Sequence, residues 1–107
     1  MGFIMNAVLD PPTLASLKQS ATKASLFLKA LANDDRLLIL CYLSQGEMNV
    51  GELEKATEIS QPTLSQQLTK LREEGFVKTR REGKYIYYTL DSHEVVELMK
   101  TLAQLFC

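Results

Sequence analysis

The sequence has no apolar run approaching the roughly 18 residues that a membrane-spanning helix requires. Its beginning, MGFIMNAVLDPPTL, contains neither a basic segment nor a long apolar core, so we expect no signal peptide. Its only two cysteines, Cys41 and Cys107, do not form the Cys-x-x-Cys motif of a thiol-disulfide oxidoreductase. We therefore expect a cytoplasmic protein with reduced thiols that is not an enzyme, carries no cofactor and binds no membrane.

Charge is nearly balanced over the chain but unevenly distributed along it. The formal net charge of −1 argues weakly against a nucleic-acid partner. Residues 60–90, however, carry six Lys and Arg against three Glu, a net +3, and the other residues together carry −4. Because local charge is what meets phosphate, this basic segment is the part expected to face DNA.

The first half of the chain predicts three helices. Apolar residues recur at three- and four-residue steps over 14–31, which indicates an amphipathic helix. A second helix is expected from a cap at Asn33 or Asp34 through RLLILCYL to Gly46. In NVGELEKAT, a capping box formed by the first Asn and the first Glu predicts a short helix over 50–57.

The second half predicts a helix, a hairpin and a final helix. Ser60 is the expected cap of a helix that carries a leucine stripe and ends near Gly75. The Val-, Thr- and Tyr-rich stretch VKTRREGKYIYYTL predicts two strands and a tight turn. Asp91 and Glu94 form a candidate capping box for the last helix. We expect a flexible arm over 1–12 and one mainly α domain over 13–107.

A short helix, a three-residue connector and a polar-faced helix form the helix-turn-helix pattern. The second helix of this pattern enters the major groove with its N-terminal residues. Hydrogen-bonding side chains in these positions can contact base edges, and Gln can bond adenine through two atoms. The expected contacts on this helix are Gln61, Thr63, Ser65, Gln66, Gln67, Lys70 and Arg72.

The hairpin follows this helix directly and has a basic tip at Arg80, Arg81 and Lys84. In this order it is a candidate wing that contacts the DNA backbone or minor groove. The elements therefore predict a winged helix-turn-helix of order ααααββα. A winged helix used only to bind another protein is the alternative.

Three stretches carry a family resemblance: ALANDDRLLILCYL, VGELEKATEISQPTLSQQLTKLREEGFVKTRREGKYIYYTL and the terminal helix. Together they resemble the ArsR/SmtB family of winged-helix repressors over nearly the whole chain past residue 20. The resemblance implies a homodimer that associates through its first and last helices. It also implies a repressor that leaves operator DNA when an inducer binds.

The inducer class depends on residues that differ within the family. The helix VGELEKAT lacks the Cys-x-Cys of many metal sensors, and mapping the other metal motif gives Asp91, His93, Gln104 and Cys107. Gln104 is a poor zinc ligand, so we expect no metal site. A metal-responsive repressor that uses the other three residues remains the alternative.

The two cysteines give a second resemblance within the family. Their placement in the second and the last helix is similar to the sulfide- and redox-responsive subgroup of BigR, SqrR, YgaV and HlyU. The resemblance implies that Cys41 and Cys107 join reversibly, as a disulfide or through added sulfur atoms, in response to reactive sulfur species or oxidants. Neither thiol lies at a helix N-terminus, where thiolates are stabilised, which favours a persulfide over peroxide as inducer.

Overall fold

The structure, a computed structural model, describes residues 11–107. The predicted arm over 1–12 lies outside the described residues except for Pro11 and Pro12, which have no regular secondary structure. The chain divides into two compact units with the boundary after Leu31. The described part of the first unit is one helix, α1 (Leu14–Leu31), as the periodicity predicts. None of the described helices is long and apolar enough to span a membrane.

The second unit holds a winged helix-turn-helix, as predicted. Its elements are α2 (Asp34–Leu43), β1 (Met48–Asn49), α3 (Val50–Thr57), α4 (Thr63–Glu73), β2 (Val77–Glu82), β3 (Tyr85–Leu90) and α5 (His93–Phe106). Helices α3 and α4 form the helix-turn-helix, and strands β2 and β3 form the wing. The strand β1 is an addition that the sequence does not reveal, because two residues are too few to show a period.

Two predicted caps are confirmed. The Asn33 side chain accepts a hydrogen bond from a backbone N–H in the first turn of α2. Asn49 and Glu52 form the predicted capping box of α3, each side chain accepting from the other's backbone N–H at 2.8 and 2.9 Å. Helix α2 ends before Gly46, whose positive φ of 152° falls in the turn that follows the helix and favours glycine.

The predicted cap at Ser60 is wrong. Helix α4 begins at Thr63, and no side chain occupies its N-cap position as acceptor. The amide oxygen of Gln61 instead accepts the backbone N–H of Ser65 at 3.1 Å. The long side chain of Gln61 reaches this donor in the first turn from a position before the N-cap.

The predicted capping box of Asp91 and Glu94 is also wrong. Ser92 caps α5 by accepting the backbone N–H of Val95 at 3.2 Å. A backbone hydrogen bond and the Ser92 hydroxyl together hold the pKa of Glu94 below its usual value. The Asp91 carboxylate instead forms an ion pair with Lys78 of β2, in which Oδ1 and Nζ are 3.7 Å apart.

The sheet has the order β1-β3-β2, and both pairings are antiparallel. Glu82 pairs with Tyr85, which leaves a two-residue loop. Gly83 opens that loop with a φ of 61°, the position that favours glycine in a type II′ turn. Met48 of β1 pairs with Tyr88 of β3, so the wing is joined to the residues that lead into α3.

The core of the second unit lies beneath α4. Leu64, Leu68 and Leu71 are at most 1% exposed, which confirms the predicted leucine stripe. Ile39 and Leu40 of α2 and Leu53 of α3 are also fully buried, and α2 contacts α4. Because this stripe fixes which side of α4 faces inward, the polar side of the helix faces solvent.

Candidate DNA-binding surface and thiol cleft

The polar side of α4 is exposed along the whole helix. Its exposed side chains able to meet DNA are Thr63, Ser65, Gln66, Thr69, Lys70 and Arg72. Five of these six are predicted contacts, and Thr69 is a further candidate that the sequence prediction did not include. Its spacing, four residues after Ser65, is the signal that could have found it, because residues four apart lie on one side of a helix.

Gln61 and Ser65 are bonded to each other at the start of α4. The Gln61 amide oxygen accepts both the Ser65 hydroxyl, at 2.7 Å, and the Ser65 backbone N–H, at 3.1 Å. Both residues are exposed. The side-chain N–H donors of Gln61 are therefore the groups that it can offer to DNA, since its oxygen is engaged within the protein.

Gln67 differs from the other predicted contacts on α4 because it is half-buried. Its amide oxygen accepts a hydrogen bond from Arg36 Nη1 of α2 at 3.1 Å. The Gln67 side chain thus joins α4 to α2, and its role as a DNA contact stays a prediction.

Arg80, predicted as a wing contact, is bonded to two carboxylates. Its guanidinium donates two hydrogen bonds to Glu47, at 2.7 and 2.8 Å, and one to Glu82 at 2.6 Å. It also lies 4.6 Å from the ring centroid of Tyr87. The hydrogen bonds to Glu47 and Glu82 raise the pKa of Arg80, and the bond from Arg80 lowers the pKa of Glu47. The guanidinium charge of Arg80 is thus largely balanced within the protein.

The other two wing cations lie at the tip without a carboxylate partner among the described contacts. Arg81 Nε donates to the backbone oxygen of Gly83 at 3.0 Å. Lys84 Nζ lies 5.5 Å from the ring centroid of Tyr85. Both side chains are exposed, so their charges are available to phosphate.

The two cysteines line one cleft. Its volume is about 710 Å³, and its walls come mainly from α2 and α5. Both thiols are free; Cys41 is half-buried and Cys107 is exposed. The remaining lining residues are Asp34, Leu37, Leu38, Ser44, Gln45, Leu90, Val96, Met99, Lys100, Leu102, Ala103 and Phe106. The fold thus brings together two thiols that lie 66 positions apart in the sequence, in surroundings that are mostly apolar.

Comparison with known proteins identifies the family. Residues 33–79 match the model of the bacterial regulatory proteins of the arsR family. A biofilm growth-associated repressor from Agrobacterium fabrum is 48% identical over 94 residues, which cover 88% of this chain and 80% of that protein. The chain belongs to the arsR family.

Two solved structures place the arsR-family chain among BigR- and HlyU-like proteins. The repressor BigR from Xylella fastidiosa superposes with a TM-score of 0.82 at 43% identity, covering 90% of this chain and 98% of BigR. The transcriptional activator HlyU from Vibrio cholerae is 44% identical over 97 residues, 91% of this chain and 90% of HlyU. A structure of reduced HlyU superposes with a TM-score of 0.83 and covers 88% of this chain and 99% of HlyU. This arsR-family chain is therefore a transcriptional regulator.

The described side chains of a single chain do not form the site that a metal-responsive repressor of the arsR family would need. Among residues 11–107, no three His, Cys, Asp or Glu side chains are grouped to hold a metal ion. His93 lies 4.0 Å from Glu97 at the start of α5. Cys107 follows the other end of this 14-residue helix, roughly 20 Å away at 1.5 Å per residue. Asp91 and His93 therefore cannot share one ion with Cys107 of the same chain.

Proposed function

We propose that the protein is a transcriptional repressor that releases operator DNA when Cys41 and Cys107 become linked by reactive sulfur species. The observation that carries this proposal is that both thiols line one cleft between α2 and α5. The proposal places the protein in the reducing cytoplasm, where both thiols stay reduced until a sulfur donor arrives.

The DNA-binding part of the proposal rests on α4 and the wing. Double-stranded DNA would receive the exposed polar side of α4 in its major groove. Gln66 is exposed, and it is the α4 residue best able to bond a base through two atoms. Arg81 and Lys84 would bind phosphate, whereas Arg80 would mainly hold the wing against Glu47.

The proposed switch reaction is a two-electron oxidation of the thiol pair. One cysteine thiol attacks the outer sulfur of a persulfide, R–S–SH, and becomes a cysteine persulfide while R–SH leaves. The second thiol then attacks the inner sulfur, which forms a disulfide between Cys41 and Cys107 and releases hydrogen sulfide. If the cysteine persulfide reacts with a second persulfide before the second thiol attacks, the bridge that then forms retains an extra sulfur atom. A direct disulfide requires Cα atoms within roughly 7 Å, and a longer bridge tolerates a wider gap.

The cleft favours a persulfide over peroxide as the inducer. Reactive thiolates ordinarily need a helix N-terminus or a close cation. Cys41 lies in the second half of α2 and Cys107 follows the end of α5, and Lys100 is the single cation among the described residues that line the cleft. A persulfide brings its own reactive sulfur and needs less activation of the thiol. HlyU, a relative by sequence and structure, has been solved in a form named as reduced, which agrees with a thiol state that matters in this subgroup.

We further propose a homodimer that associates through α1 and α5. Exposed apolar side chains are numerous on both helices: Leu14, Leu17, Leu26, Leu28, Leu105 and Phe106 are between 41% and 80% exposed. Burying such a surface is favourable in water. We expect a dimer mass by sedimentation at micromolar concentration, and a monomer mass there would contradict this assembly.

The direct functional test is DNA release by a persulfide. Wild type, Cys41→Ser and Cys107→Ser should all bind operator DNA when reduced. Only the wild type should release DNA on treatment with inorganic polysulfide, since each variant lacks one partner of the bridge. If either variant releases DNA as the wild type does, the paired-thiol mechanism is wrong and the protein is a regulator without this switch. Release of DNA by zinc instead would favour the metal-responsive alternative.

A further inference from the structure

Helix α2 directs Cys41 and Arg36 to different sides. Asp34, Leu37, Leu38 and Cys41 all line the cleft, and their spacing of three, four and seven residues places them on one side of the helix. Successive residues are about 100° apart around a helix. Arg36 therefore lies roughly 150° from the centre of the side that lines the cleft.

On that other side, Arg36 bonds the recognition helix. Its Nη1 donates to the Gln67 amide oxygen of α4 at 3.1 Å, in a partly buried position. A guanidinium carries only donors, so it is the amide oxygen of Gln67 that must face Arg36. The bond connects residues 31 positions apart in the sequence, and it fixes the Gln67 side chain in one orientation.

Resting on the proposed function, we propose that Arg36 and Gln67 are positioning residues that transmit the state of the thiol pair to α4. Helix α2 has ten residues and a length of about 15 Å, with continuous backbone hydrogen bonds. Linking Cys41 to Cys107 draws the side of α2 that lines the cleft towards α5. The same displacement moves Arg36 relative to Gln67 and weakens the bond that holds α4 in its DNA-binding orientation.

The test compares two neighbouring glutamines in the full-length chain. Operator affinity is measured for the reduced form and for the form bridged with inorganic polysulfide, and the ratio of the two affinities is the readout. Gln67→Ala should lower the affinity of the reduced form more than that of the bridged form. Its ratio should fall by a factor of roughly 2 to 12, the range for the loss of one hydrogen bond.

Gln66→Ala is the matched control. Gln66 has the same side chain, is exposed, and has no hydrogen bond to Arg36 among the described contacts. As a proposed base contact, it should lose affinity in both forms equally, so the ratio stays at the wild-type value. A merely structural loss at Gln67 would lower both affinities together and would not move the ratio.

Further variants keep the result decisive. Gln67→Glu preserves an oxygen acceptor for Arg36 and strengthens the bond, so the ratio should stay at or above the wild-type value even though the added charge weakens DNA binding in both forms. Combining Arg36→Lys with Gln67→Ala should give the same ratio as Gln67→Ala alone, because Gln67→Ala has already removed the hydrogen bond through which Arg36 acts on α4. If the wild type releases DNA and Gln67→Ala keeps the wild-type ratio, the link is wrong and the thiol switch stands. If the bridged wild-type protein retains its affinity for operator DNA, both the Arg36–Gln67 link and the thiol switch are wrong.

Discussion

The proposed DNA-binding surface and the thiol cleft differ in how their polar groups are arranged. On α4 and the wing, side chains are held by hydrogen bonds within the protein, as between Gln61 and Ser65 or between Arg80 and Glu47. In the cleft, Cys41 and Cys107 lie among mostly apolar side chains. One surface is thus arranged before its ligand arrives, and the other has room to change.

Under the proposed function, this difference would let one small unit both recognise DNA and respond to reactive sulfur species. Preorganised donors and acceptors bind a partner with less loss of side-chain freedom. The cleft, by contrast, has a volume of about 710 Å³ and is lined mostly by apolar side chains, which leaves room for added sulfur atoms between the thiols. The helix α2 borders both regions, because Cys41 lines the cleft and Arg36 bonds Gln67.

The largest expected effect is on the free energy of unfolding, and it distinguishes the packed core under α4 from the thiol cleft. Leu68 under α4 is 1% exposed, so Leu68→Ala should cost about 2–5 kcal/mol of the free energy of unfolding. Leu102 lines the cleft and is only partly buried, so Leu102→Ala should cost less, about 1 kcal/mol. Urea unfolding of both variants at one protein concentration measures the difference. Equal costs would contradict an open cleft.

A smaller effect is expected on DNA affinity from the exposed side of α4. Ser65→Ala and Gln66→Ala should each weaken operator binding by about 1–3 kcal/mol, the usual cost of losing a good base contact. Gln104→Ala on α5, also an exposed glutamine, is the control and should bind normally. Titration of labelled operator DNA by fluorescence anisotropy measures these affinities. Unchanged affinity in both α4 variants would remove these residues from the contact set.

The smallest effect concerns the wing. Arg81→Ala and Lys84→Ala should each reduce the slope of log affinity against log salt concentration by about 1, the value for one lost phosphate contact. Arg80→Ala should change this slope less, because Glu47 and Glu82 already balance its charge. Salt titrations of operator binding provide the slopes. A larger change for Arg80 than for both tip residues would reverse this assignment.

The parts that could be predicted from the sequence are those set by short-range patterns. The box of Asn49 and Glu52 spans three residues, and the leucine stripe of α4 follows one helical period. Neighbouring polar residues account for two wrong cap predictions. Gln61 accepts the backbone N–H of Ser65 and Ser92 accepts that of Val95, so each helix begins later than a cap at Ser60 or Asp91 requires.

The parts that could not be predicted depend on contacts between distant residues. Arg36 and Gln67 are 31 positions apart, and Glu47 and Arg80 are 33 apart. No local pattern marks either pair, so sequence reasoning treated Gln67 and Arg80 as ordinary DNA contacts. The cysteines could be paired from the sequence only through a family resemblance, and their shared cleft is visible only in the fold.

The central claim is that the linked thiol pair is what releases DNA. The most direct measurement treats the operator complex with inorganic polysulfide, separates released from DNA-bound protein, and determines the intact mass of each fraction. The released protein should have lost two hydrogens, with or without added sulfur atoms, and its digest should contain the Cys41 and Cys107 peptides joined. The bound protein should retain the reduced mass. Released protein that carries no link between Cys41 and Cys107, or bound protein that carries it in equal proportion, would contradict the account.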